Sequence, residues 1–238
     1  MSLAIAANTM LLVDCSGNAA QALERLGINW PLLEHVLLTH HHTDHICGLP
    51  SLVDQIMLTM RGAERPPLTL WGPESALGRC HQLLEATGLL QREGSFDLQF
   101  MVLPPEECSF ELGDLAVTSF PVAHGNVPAL GLAVAAVDRP DCMLVCSGDT
   151  EPCPSVLHRA RHARLLVHEC SSFTAASVPA HTTLEEIEHV LTFDDVPETL
   201  LAHLPPVSEQ AEQEVAQRLD GLFGGRERLA EDGAVVQL

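Results

Sequence analysis

The stretch HVLLTHHHTDHICGLP, residues His35–Pro50, places four histidines and one aspartate within six consecutive positions, 40 to 45. A packed core rarely accommodates so many imidazoles. The run is internal and follows an apolar segment, which rules out a purification tag. "HVLLT" reads as a strand, so the chain leaves a rigid edge and turns back at once with several polar side chains clustered. Imidazole nitrogens and carboxylate oxygens suit zinc and related divalent ions. One ion takes three or four ligands, and His40, His42, Asp44 and His45 with further candidates downstream suggest two.

The bulk properties narrow the classes around this motif. At 238 residues, the length suits one layered α/β domain spanning 1–238. Hydrophobic residues make up 46% of the chain, yet no apolar run approaches the roughly 18 residues needed to cross a bilayer. The start, MSLAIAANTMLLVD, lacks a basic segment and is broken by Asn8 and Asp14, so it does not read as an export signal. A cytoplasmic protein is expected. Its 8 cysteines are scattered without a CxxC pair and are expected as reduced, buried thiols. All 12 basic residues are arginine, and the formal net charge is −20. Such a field repels polyanions, so nucleic acid is not an expected partner.

Apolar runs bounded by turn residues predict strands near 9–14, 34–39, 67–71, 97–103, 114–122, 129–137, 142–147, 164–168 and 198–202. Helical periodicity covers 18–27, 49–61, 74–88, 183–192 and 207–223. A capping box is expected within Thr182-Thr183-Leu184-Glu185-Glu186. The interleaving predicts two sheets flanked by helices, with a strand-rich middle.

The HxHxDH spacing resembles the signature of the metallo-β-lactamase fold superfamily. Later segments carry the resemblance onward: His124 in FPVAHGNVPALG, Asp149 in CSGDT and His203 in ETLLAHLPP. SGDT, LLVHECSSF and AHTT resemble the ribonuclease Z-like phosphodiesterase branch, in which a histidine before Ser or Thr precedes a strand-end histidine ligand. His181 and His203 stand 22 positions apart, as in that branch.

The resemblance implies an α/β fold, an αββα four-layer sandwich. It implies two divalent ions, zinc by default with manganese or iron as alternatives. One would take His40, His42 and His124, the other Asp44, His45 and His203, with Asp149 bridging and a bridging hydroxide as nucleophile. Asp44 is thereby expected at the reacting centre as well as among the ligands. His181 takes the branch's catalytic position, stabilising a phosphoryl oxygen or protonating the leaving alkoxide, and Glu169 fixes its tautomer. His41 is expected to face away, His168 either to pack or to support the site, and Cys146 and Cys170 to be core thiols.

Two departures qualify the resemblance. Ribonuclease Z enzymes that process tRNA carry a basic arm, in many members between the third-motif histidine and the bridging aspartate. Here that interval is 25 residues with one arginine and no lysine. The family's Ser-x-Arg-Tyr is replaced by Leu204-Pro205-Pro206-Val207. A small phosphate ester, as in the branch's phosphoribosyl cyclic phosphate phosphodiesterases, is therefore the expected substrate. The rivals are a lactonase, thioesterase or arylsulfatase of the same fold, a tRNA 3′-processing endonuclease, and a non-catalytic metal-binding module. Little sequence precedes TMLLVD, so the native start could lie upstream, or a homodimer could cover the sheet edge.

Overall fold

The computed structural model describes residues 1–92, 96–174, 178–193 and 198–237, with the side chains of 190–193 outside the description. The chain divides into two compact units, Met1–Pro105 with Leu112–Asp114, and Glu106–Glu111 with Leu115–Leu238.

The first unit contains β1 (Leu3–Ala6), β2 (Met10–Val13), α1 (Ala19–Arg25), a 3-10 turn at Trp30–Leu32, β3 (His35–Leu37), α2 (Thr43–Ile46), α3 (Leu49–Thr59), β4 (Leu68–Gly72), α4 (Glu74–Ala86) and β5 (Leu98–Val102). The five strands form one sheet in the order β1-β2-β3-β4-β5. β1 runs antiparallel to β2, and the other neighbours are parallel. Parallel neighbours need crossovers, which the helices between them supply. α3 shows how the pattern dictates packing: Leu49, Leu52, Val53, Ile56 and Met57 are buried, a helical stripe that joins Leu12, Val36, Leu38 and Leu70 in the core.

The second unit carries β6 (Cys108–Leu112), β7 (Leu115–Val122), β8 (Ala129–Ala136), β9 (Arg139–Cys146), α5 (Pro154–Ala160), β10 (Leu165–Glu169), α6 (Leu184–Phe193), β11 (Glu198–Ala202), α7 (Glu209–Phe223) and β12 (Glu227–Leu229). Its sheet order is β12-β11-β10-β9-β8-β7-β6. β7 to β9 is an antiparallel meander, whereas β10, β11 and β12 continue parallel to β9. Phe120, Val145, Val156, Leu166, Leu184, Leu201 and Leu219 fill its core. Because β7 and β9 both run antiparallel to β8, the carboxyl ends of β7, β9, β10 and β11 all lie at one edge of this sheet.

Every strand and helix expected from the sequence forms, as do the two sheets. Additional elements are short: β1, β6, β12, α2 and α5 each span 3 to 7 residues. β1 pairs with the edge of β2 that the sequence reading left uncovered.

Candidate metal centre

In the first unit the candidate ligands follow β3, and their support follows β2. Asp14 is fully buried and has a left-handed backbone, φ 56°. Its Oδ1 accepts the Thr39 N–H at 2.8 Å, and both its oxygens accept the Thr39 hydroxyl at 3.1 and 2.9 Å. His45 Nδ1 lies 2.8 Å from Asp14 Oδ2, and His40 Nδ1 lies 3.0 Å from Thr39 Oγ1. Proton counting settles both tautomers. A carboxylate only accepts, so His45 donates from Nδ1; Thr39 has given its one proton to Asp14, so His40 donates from Nδ1 as well. In both rings Nε2 then carries the lone pair.

One turn of helix gathers the rest. α2 starts after His42, and the His45 N–H bonds the His42 carbonyl at 3.1 Å. The His40 ring centroid lies 4.6 Å from that of His42 and 4.1 Å from that of His45. Asp44 Oδ2 stands 3.4 Å from His45 Nε2. Gly48 closes the turn against the segment after β2: its N–H bonds the Cys15 carbonyl at 2.8 Å, and a Cβ there would sit 2.6 Å from the Gly17 carbonyl oxygen. His41 edges onto the His42 ring at 5.5 Å but joins no cluster of candidate ligands among the described residues.

In the second unit, the strand ends at the common edge present His124, Asp149, Glu169 and His203. His124 Nδ1 donates to the Ala180 carbonyl at 2.7 Å, and Ala180 itself adopts φ 67°. Asp149 is buried, with Oδ2 3.6 Å from His203 Nε2. His203 immediately follows β11 and has φ 51°. Glu169, fully buried, accepts the Thr150 N–H at 2.7 Å and the His181 Nδ1–H at 2.8 Å on Oε1. The half-buried His181 ring stacks on His203, centroids 5.6 Å apart and 18° from coplanar, and meets His124 edge-on at 4.8 Å.

The donor set fits a divalent metal. Ligating histidines almost always have the second ring nitrogen hydrogen-bonded to a protein group, which fixes Nε2 as the ligating atom. His40, His45, His124 and His203 each show this, through Thr39, Asp14, the Ala180 carbonyl and Ser171. The thiols do not compete. Burial, reinforced by the Glu169 charge, pushes the Cys170 thiol up to about 12, and burial likewise raises Cys15, so both stay protonated. His168 is held below its ordinary value by burial, its Nδ1 donating to the Glu169 carbonyl at 2.7 Å.

Asp14, Thr39 and Ser171 escaped the sequence reading. Asp14 carried a signal as an acidic residue closing the apolar run MLLV, and Ser171 lay within the family-like stretch LLVHECSSF; Thr39 carried none. All the expected site residues are described, each in its unit.

The comparisons agree with this architecture. The chain is 24% identical to the ribonuclease Z of Gemmatimonas aurantiaca over 287 positions, covering 96% of this chain and 86% of that protein. The matched stretch is longer than this 238-residue chain, so the relative carries segments absent here. Among solved structures, a diphosphatase of the PhnP family superposes with a TM-score of 0.77 at 17% identity, covering 100% of this chain and 83% of the other. The short form of human tRNase Z gives 0.75 at 18%, covering 100% and 92%. These likenesses show the metallo-β-lactamase fold in its ribonuclease Z-like branch. The family model described as Anti-Pycsar protein Apyc1 matches residues 2–218, nearly the whole chain, and the chain therefore belongs to that family.

Proposed function

We propose that this protein is a dinuclear metal-dependent phosphodiesterase acting on small or cyclic phosphodiesters, with residues 1–238 working as one catalytic domain. The observation that carries the reading is a histidine and aspartate ligand set accompanied by a separate histidine, His181, whose Nδ1 is held by the buried carboxylate of Glu169 at 2.8 Å. His40, His42 and His124 would hold one ion, Asp44, His45 and His203 the other, and Asp149 both. The imidazole-rich donor set favours zinc, with manganese or iron as alternatives. When bound, such a pair supplies Lewis acidity and brings the pKa of water from 15.7 towards about 7.

The chain's own residues complete the chemistry. Glu169 holds the Nδ1–H of His181, so Nε2 is the atom that would act on the substrate: in the doubly protonated ring its N–H would be the proton given to the leaving oxygen or the donor to a phosphoryl oxygen. Asp44, its side chain 59% exposed, stands at the solvent side of its cluster, where a polar substrate can reach it. A small substrate is favoured over tRNA by the net charge of −20, the absence of lysine and the 25-residue interval between His124 and Asp149.

The test is His181→Ala. It should keep its metal and its fold while losing on the order of 10²–10⁴ in turnover, the usual worth of general acid–base assistance. If proton donation is the role, the loss shrinks for p-nitrophenolate leaving groups relative to alkoxides. Loss of an ion in this variant would instead make His181 a ligand and refute the assignment.

A further inference from the structure

Ser171 lies at the centre of a hydrogen-bond node in the second unit. Its Oγ is 2.6 Å from Glu169 Oε2, 3.0 Å from His181 Nδ1 and 3.1 Å from His203 Nδ1. Glu169, His181 and His203 could by donor type alone form a further metal cluster. The serine hydroxyl sits among these three groups, and its contacts make them a proton-ordering network instead.

We propose that Ser171 is a positioning residue that fixes the tautomer of His203. A serine has one proton to donate, and the shortest contact, to a carboxylate that can only accept, takes it. The hydroxyl oxygen then presents only lone pairs to His203, which must donate from Nδ1. His203 Nε2 is thereby left with the lone pair that ligation requires. His181 needs no such help, because Glu169 Oε1 accepts its Nδ1–H directly at 2.8 Å. Ser171 thus links the histidine read as a ligand to the pair read as the proton-transfer machinery. The link to metal binding rests on the function proposed above; the tautomer assignment does not.

The experiment is ¹⁵N–¹H NMR of the imidazoles in the metal-free protein at pH 8, for the wild type, Ser171→Ala and Ser171→Thr, alongside zinc affinity from competition with a chromophoric chelator. Wild type should show His203 protonated at Nδ1. Ser171→Ala should move His203 towards the Nε2-protonated form, leave His181 protonated at Nδ1, and weaken one zinc site by about 10–100-fold, the usual effect of losing a ligand's supporting partner. Ser171→Thr, which keeps the hydroxyl, should restore both. An Nε2-protonated His203 in the wild type overturns the proposal without any variant, and so does an unchanged tautomer in Ser171→Ala. A tautomer shift with unchanged zinc affinity supports the positioning role and refutes His203 as a ligand.

Discussion

Asp14, Ala180 and His203 are the non-glycine residues with positive φ among the described residues, at 56°, 67° and 51°. Each bears on the candidate ligands: Asp14 orients His45, the Ala180 carbonyl orients His124, and His203 is itself a candidate ligand. Backbone strain of this kind costs about 1–3 kcal/mol per residue and persists where the surroundings over-determine it. For the proposed ligand set, Asp149→Ala should lower metal content from about two ions per chain to below one, because that proposal gives Asp149 to both ions. His41→Ala should retain wild-type content. Elemental analysis decides it, and dependence on His41 with indifference to Asp149 would overturn the ligand register. His168 gives a pH prediction. Its pKa is lowered by burial, so protonation favours unfolding; its contribution is fully present above the unfolded value of about 6.5 and declines as the pH falls below it. In metal-free protein, His168→Gln should therefore lose less stability than wild type between pH 8 and pH 5. Parallel acid sensitivity would contradict this. The candidate ligand types were readable in the sequence because four of the seven fall within positions 40–45 and the other three each follow an apolar run. Their supports were not, because Asp14 reaches Thr39 and His45 across 25 and 31 residues, and Ser171 reaches His203 across 32.

Helix α6 shows how local chemistry at one element bears on the site. The Thr183 N–H and hydroxyl donate to Glu186 Oε2 at 2.9 and 2.8 Å, and the Glu186 N–H returns to Thr183 Oγ1 at 3.3 Å. This capping box was readable from residue types alone. It anchors the segment that carries His181, since the neighbouring Thr182 hydroxyl bonds the Thr150 carbonyl at 2.6 Å. Thr183→Ala should cost about 1 kcal/mol of unfolding free energy in urea titration, and a loss within measurement error would show the cap to be redundant. The long strands and helices were legible through periodicity. β12 was not: its sequence is ERL, and its Glu227 points into the protein, buried, with its pKa raised by desolvation. A buried carboxylate on a three-residue edge strand runs against the apolar alternation by which strands are recognised.

Over the whole molecule, net charge bears on the proposed choice of substrate. Among the described residues no helix is long and apolar enough to cross a membrane. With −20 formal charges and no lysine, the chain offers little to release counterions from a long polyanion. A small phosphodiester makes few backbone phosphate contacts and pays no comparable repulsion. The most direct measurement is the rate at which protein reconstituted with two equivalents of zinc hydrolyses bis(p-nitrophenyl) phosphate and a cyclic phosphodiester, against precursor tRNA across a salt series. The account predicts turnover of the small diesters, little cleavage of tRNA and a shallow salt dependence. Efficient tRNA cleavage that falls steeply with salt, or no hydrolysis of any phosphodiester by the two-zinc protein, would contradict it.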